Sequence, residues 1–299
     1  MRISERHRYD VSNTNIQRAK SENASDLERL STQKRINAIS DDPIGSTNSL
    51  TFRDRIGTLK QFQKNIDFSK GYLDRAEMAI STIQDNLIRA KELAIAMSND
   101  TYAWNSREAT AREIKEIISE VVQLANTTYN NRYVFSGFRT QTPALSTEGN
   151  FLGDDGAIFL QVSEGNFRQV NIQARDLFEA SPEERENRHF NMVDSLDILY
   201  TGLMEDEKQM VYKALDELEF QMEKTSSYQA SVGAMFNALQ GTSKRLELDE
   251  ESSTIGLSKI EDVDAYKATS DFKRSETTLQ STLLASSKLL QPSLLNFMQ

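Results

Sequence analysis

The sequence predicts a mainly α-helical protein: an elongated antiparallel helical bundle or coiled coil, interrupted by one small β-rich insert. Three observations carry that prediction. Glycine and proline are scarce, with 12 and 4 in 299 residues, roughly half the usual share. That leaves too few turns for an all-β fold or a series of βαβ units. Apolar residues recur every seventh position through one long stretch, the repeat of a packed helix seam. Glycine, aromatic and β-branched residues instead gather in one central segment, where strands are expected.

Proline cannot donate to a helix ladder, so long helices must lie between Pro43, Pro143, Pro182 and Pro292. The first spans about Val11 to Ile39, with a thin apolar stripe of Ile16, Ala19, Leu27 and Leu30. Ser40-Asp41-Asp42-Pro43-Ile44-Gly45 then breaks it with side chains suited to capping and turns. From Gly45 to Met97 one series reads Phe52, Leu59, Ile66, Leu73, Ile80, Leu87 and Ala94, and its companion Phe62, Ser69, Ala76, Ile83, Ala90 and Met97. Such a helix is a rod of roughly 80 Å. Asn99-Asp100 ends it, and Asn105-Ser106-Arg107-Glu108 resembles a capping box opening a return helix with Ala111, Ile114, Ile118, Val121 and Ala125 on one face.

Strand patterns follow in Arg132 to Phe138, Ala157 to Val162 and Phe167 to Ile172. After Pro182 helical spacing resumes at Met192, Leu196 and Leu199, then Met210, Tyr212, Leu215, Leu218 and Met222. A further stretch runs from Thr225 through Val232, Met235, Leu239 and Leu246 toward Ile255. The last segment carries Leu279, Leu283, Leu290, Leu294 and Phe297, and after Ser275 its only charges are Glu276 and Lys288. A helix with so wide an apolar stripe needs partners.

Composition narrows the chemistry. No cysteine is present, which removes disulfides, thiol catalysis and thiolate metal sites. His7 and His189 are the only histidines, so imidazole chemistry is poorly supplied. The chain carries 35 Lys and Arg against 45 Asp and Glu, a net charge of −10. Residues 1–39 hold 8 basic against 5 acidic side chains, too small a surplus for a phosphate-backbone binder. No apolar run suggests a cleaved leader or a membrane span. Asp41-Asp42 reads as a turn and cap, and Glu247, Asp249, Glu250 and Glu251 as a solvated helix face without calcium-loop spacing. Nucleotide-loop, zinc-protease and nucleophile-elbow motifs are absent. His189 reads as a capping or surface residue and Trp104 as loop packing. The expectation is no enzyme, no cofactor and no metal.

Three stretches carry a resemblance. Residues 30–43, Leu-Ser-Thr-Gln-Lys-Arg-Ile-Asn-Ala-Ile-Ser-Asp-Asp-Pro, with Arg35, Asp41, Asp42 and Pro43, resemble the signature near the N-terminus of bacterial flagellins and their relatives. Leu124-Ala125-Asn126-Thr127-Thr128 followed by Arg132-Tyr133-Val134-Phe135-Ser136-Gly137 is similar to an element of the hook-associated members of that family. Ile260-Glu261-Asp262-Val263-Asp264, with Asp262 and Asp264, is similar to the opening of the family's C-terminal helix. Pro292 and the glycine-free turn at Tyr129-Asn130-Asn131-Arg132 depart from the pattern.

The resemblance implies a structural adaptor that joins flagellar hook to filament. Residues 1–45 and 256–299 would pair as an inner coiled-coil domain, 46–132 and 181–255 would form a long bundle, and 133–180 an outer β-rich insert. Ile16, Leu27 and Leu30 would pair with Leu279, Leu283, Leu290 and Leu294, and their residual apolar surface would bury against neighbouring copies in a ring. Implied partners are a neighbouring hook-associated protein, flagellin and an export chaperone on the C-terminal segment, with no nucleic acid and no membrane span. Secretion would run through the flagellar export apparatus to the hook–filament junction. Flagellin itself, or a cytosolic coiled-coil scaffold, is the alternative.

Overall fold

The structure is a computed structural model that describes residues 2–98 and 104–290. Its helices are α1 (Arg2–Thr32), α2 (Pro43–Met97), α3 (Trp104–Ala125), α4 (Arg175–Phe178), α5 (Pro182–Glu186), α6 (Met192–Glu205), α7 (Lys208–Glu261) and α8 (Ala265–Leu290). Strands β1 (Thr128–Tyr129) and β2 (Arg132–Tyr133) form one antiparallel hairpin, and β3 (Phe159–Ser163) and β4 (Asn166–Gln169) another. Two compact units result: Met1–Thr58 with Asp249–Gln299, and Leu59–Leu248.

In the second unit the heptads of α2 hold. Ile66, Leu73, Ile80, Leu87 and Ala94 are fully buried, as are Ser69, Ala76, Ile83 and Ala90 from the companion series. Ser69 survives in this seam because its hydroxyl donates to the Asn65 carbonyl at 2.7 Å, so no donor is stranded. The facing side chains are Ala111, Ile114, Val121 and Ala125 of α3, Met192, Leu196, Leu199 and Leu203 of α6, and Val211, Leu218, Val232, Leu239 and Leu246 of α7.

Several local expectations change. Ile117 rather than Ile118 is the more buried residue of its α3 turn, because the face drifts by one position along a straight helix. Tyr212 stands in solvent while Val211 and Ala214 turn inward. The two stretches read apart on either side of Thr225 are one uninterrupted helix, α7, since the buried Thr225 hydroxyl donates to the Gln221 carbonyl at 2.7 Å. Helix α3 begins at Trp104, which places Asn105 inside it, so no capping box forms there and Trp104 is a half-exposed helix residue. The expected stop at Asn99-Asp100 lies outside the described residues.

The insert is less regular than its composition suggests. Its strands are two to five residues long, and turns make up most of the rest. Asn130 and Asn131 take φ of 49° and 60°, the left-handed pair of a two-residue hairpin turn, which Asn tolerates almost as Gly does. That accounts for the missing glycine. Gly71 on α2 has a separate duty: a Cβ there would lie 2.4 Å from the Tyr129 hydroxyl, so a larger residue would push the hairpin ring aside.

In the first unit α1 ends at Thr32, earlier than the apolar stripe implied, because Gln33 turns left-handed at φ 57°. Pro43 occupies the first position of α2 and the Asp42 carboxylate accepts the Gly45 amide at 2.8 Å, a proline start behind an Asp cap.

Candidate functional site

Two arrangements bring the sequence-predicted residues together, one in each unit. In the first unit α1 and α8 pack side by side. The buried and half-buried positions include Ser12, Ile16, Ala19, Asn23, Asp26 and Leu30 on α1, flanked by half-buried Ser25 and Arg29, and Ala268, Phe272, Ser275, Leu279, Thr282 and Ser286 on α8. The series from Ser12 to Leu30 and from Ala268 to Ser286 alternate steps of four and three, the spacing of a coiled-coil seam. The Asn23 amide donates to the Ser275 hydroxyl at 3.3 Å, and Lys34 bridges antiparallel to Asp262, which fixes the helices head to tail in one register.

Ile16, Leu30 and Leu279 therefore belong to the seam. Leu27 and Leu283 lie off it, 49% and 47% exposed. Leu290 is the last residue of α8, and Leu294 and Pro292 lie outside the described residues. Small or polar side chains hold eight of these twelve positions, so little apolar area is buried per turn and the pairing stabilises weakly.

Beyond the seam, the chain from α1 to α2 meets the joint between α7 and α8. Arg35 donates its backbone amide to the Glu261 carbonyl at 2.6 Å, and Val263 donates to the Gln33 carbonyl at 3.0 Å. The Arg35 guanidinium reaches both the Ile260 carbonyl at 2.8 Å and the Asp42 carboxylate at 3.2 Å. At the centre sits Glu261, whose side chain is only 4% exposed. Its Oε1 receives Lys34 at 2.5 Å and also Arg53. Its Oε2 is buried with no hydrogen-bond partner among the described residues.

Burial alone would raise the Glu261 pKa, but the hydrogen bonds and charges of Lys34 and Arg53 outweigh it and hold the carboxyl below its usual value. Asp41 accepts the Ala38 and Asn37 amides at 2.9 and 3.0 Å, which lowers its pKa; the Gly45 amide does the same for Asp42. Asp264 accepts the Tyr266 and Lys267 amides and caps α8. Asp262 takes the Ser258 hydroxyl at 2.5 Å. Arg35, Asp41, Asp42, Pro43, Asp262 and Asp264 thus converge from the two ends of the sequence on one clasp. Sequence reasoning missed Glu261, Lys34 and Arg53 as its centre. Lys34 and Glu261 lay inside the recognised stretches, whereas an exposed Arg53 on a helix carries no signal of its own.

In the second unit the other motif builds the root of the insert. The Asn126 side chain closes two bonds with the Leu145 backbone, at 2.9 and 3.0 Å, imitating a strand partner. Tyr72 on α2 donates to the Val134 carbonyl at 2.7 Å; burial pushes its hydroxyl up to about 12, opposed by the charge of Arg132. Tyr133 donates its amide to the Thr140 carbonyl at 2.9 Å. Phe135 is fully buried edge-on against Phe178, with centroids 5.5 Å apart. Gly137 has φ 64° and its Cβ would lie 2.2 Å from the Asp154 carbonyl oxygen. Gly137→Ala is expected to destabilise this unit by more than about 2 kcal/mol, read as a lowered midpoint of chemical denaturation. His189, read as a capping or surface residue, is half-buried: it stacks on Phe220 at 3.9 Å with its Nδ1 3.2 Å from buried Glu217.

These arrangements hold segments together and present surfaces. Among the described residues no group of three or more His, Asp or Glu could hold a metal ion, and no helix is long and apolar enough to cross a membrane.

Comparison with known proteins gives the following. Residues 3–140 match the bacterial flagellin N-terminal helical region, and residues 215–298 the bacterial flagellin C-terminal helical region. The flagellar hook-associated protein 3 of Escherichia coli K12 is 25% identical over 95% of this chain and 96% of its own length. A flagellin of Halalkalibacterium halodurans is 27% identical over 86% and 84%. Among solved structures, FlgL of Bacillus cereus superposes with a TM-score of 0.60 at 19% identity, covering 70% of this chain and 99% of that one. Hook-associated protein 3 of Legionella pneumophila gives 0.61 at 15% identity, over 70% and 98%.

Proposed function

The chain belongs to the bacterial flagellin family, and from that premise we propose that it is the structural subunit that joins the flagellar hook to its filament. The observation that carries this reading is the clasp. Stretches more than 200 residues apart, the Arg35–Pro43 turn and the Glu261–Asp264 joint, lock together and align α1 with α8. The aligned pair leaves Leu27, Leu283 and Leu284 exposed, which is apolar surface for neighbouring copies to cover. The end-to-end likeness to a hook-associated protein 3 supports the junction role.

On this reading the terminal helices form the inner domain, α2 with α3, α6 and α7 the bundle, and residues 133–180 the outer insert. Copies close into a ring if the rotation between neighbours closes; a rotation that does not close builds an open filament instead. Export delivers the chain unfolded, a passage that a protein without cysteine makes with no disulfide to hinder it. The nearly uncharged segment after Ser275 is where an export chaperone docks before secretion.

The flagellin likeness favours one rival, a filament subunit. The two part in a simple assay. Purified chain seeded onto filament fragments is expected to stop after a short cap, whereas continued growth into long filaments would make it a flagellin. Antibody-gold labelling of isolated flagella should then mark a single band beside the hook.

A further inference from the structure

We propose that the clasp around Glu261 is a torsional lock, which carries turning load between the α1/α8 pair and the adjoining ends of α2 and α7. The proposal rests on the reading of the chain as the joint between hook and filament, since whatever turns a filament must act through the subunit that holds it.

Residues 33–42 join the helix pair to α2, and residues 262–264 join it to α7. Neither link is helical, so each alone is a pivot about which the pair could turn. The clasp binds one pivot to the other. Lys34 and Asp262 form an antiparallel bridge, with the Arg35 and Val263 amides donating to the Glu261 and Gln33 carbonyls. Glu261 at the end of α7 then takes Lys34 of the first link and Arg53 of α2 on one oxygen. The Arg35 guanidinium adds a second crossing, from the Ile260 carbonyl to the Asp42 carboxylate. Close packing backs these bonds. A Cβ at Gly45 would lie 2.7 Å from Ile36 Cδ1, and one at Gly256 would lie 2.8 Å from the Phe52 ring.

Stability alone does not explain this choice of residues. The Glu261 side chain is 4% exposed, and its Oε2 has no hydrogen-bond partner among the described residues. Well-packed apolar residues of the same volume hold a fold together as well as a buried ion cluster does. What the charges add is direction. Apolar contact is non-directional and lets surfaces slide, whereas charge-assisted hydrogen bonds hold an angle as well as a distance. The neighbouring α1/α8 seam, filled mostly by small or polar side chains, offers little resistance of its own.

A bond that can be opened and closed tests the lock. The chain has no cysteine, and partners in an antiparallel bridge lie about 4.5–5.5 Å apart at Cα, within reach of a disulfide. Lys34→Cys with Asp262→Cys removes the Lys34 tie and puts a reducible bond in its place. Flagella assembled from this variant are sheared at one fixed rate, oxidised and reduced, and filament loss at the hook is counted. Reduction is expected to raise the loss at least about tenfold, the factor that one lost charge-assisted hydrogen bond gives. Equal loss in the two states, or thiols that do not pair in assembled flagella, overturns the lock and leaves the junction role standing. Antibody-gold that finds the chain away from the hook overturns both.

Arg53→Gln gives an independent reading. Lys34 stays on Glu261, and Arg53 is half-exposed, so folding and incorporation are expected to match the unmutated chain. Filament loss under the same shear is expected to rise at least about threefold. Loss at the level of the unmutated chain would contradict the proposal.

Discussion

Phe135→Ala is expected to destabilise the second unit by about 3–5 kcal/mol, the largest loss of any single truncation considered. Phe135 is fully buried, sits edge-on to Phe178, and is held by Tyr72 bonding the Val134 carbonyl one residue before it. Its removal leaves a cavity that this root cannot collapse to fill. Asn126 pins the Leu145 backbone on one side, and Gly137 meets the Asp154 carbonyl with no space to spare on the other. Chemical denaturation followed by far-ultraviolet circular dichroism checks it. A loss under about 1 kcal/mol would mean that the insert packs on the bundle without depending on this ring.

The second large effect is at Glu261. Glu261→Gln removes the carboxylate that Lys34 and Arg53 share, and is expected to weaken the first unit by about 2–3 kcal/mol. The cost stays moderate because Lys34 and Arg53 are 43% and 50% exposed and regain water. Acid gives the signature. The folded carboxyl titrates below its usual value, so the unfolded state takes up the proton first as pH falls. The stability from Glu261 is therefore complete above the ordinary carboxylate range near pH 4.3 and drains away as pH drops through the lower folded value. The Gln variant should show a shallower loss over that interval. Asp41 and Asp42, depressed in the same direction, persist in the variant, so part of the slope remains. Equal slopes in both proteins would show that Glu261 is not the charge holding the clasp.

The bundle was legible because a heptad is a property of the sequence itself. Leu59, Ile66, Leu73, Ile80, Leu87 and Ala94 face inward whatever surrounds them, and periodicity needs no knowledge of the partner. The terminal helices were legible only in part. Ile16 and Leu279 follow the seam, yet half of its layers are filled by Ser12, Asn23, Asp26, Ser275, Thr282 and Ser286. Leu27 and Leu283, expected in the pairing for their apolar side chains, lie exposed beside the seam. The clasp was recognisable as motif but not as contact, since the pairing of Glu261 with Arg53 spans 208 positions and no local pattern encodes it. Capping at Asp41, Asp42 and Pro43 could be read directly, because the acceptors and the amides they bind lie within four residues.

As the junction subunit, this chain is the link without which a filament cannot attach to its hook. Deleting its gene tests that most directly, with isolated flagella imaged and flagellin assayed in the culture medium. The expected outcome is hooks that carry no filament while flagellin is shed as soluble subunits, both reversed by the intact gene on a plasmid. Cells that still bear full filaments on their hooks after the deletion would contradict the account.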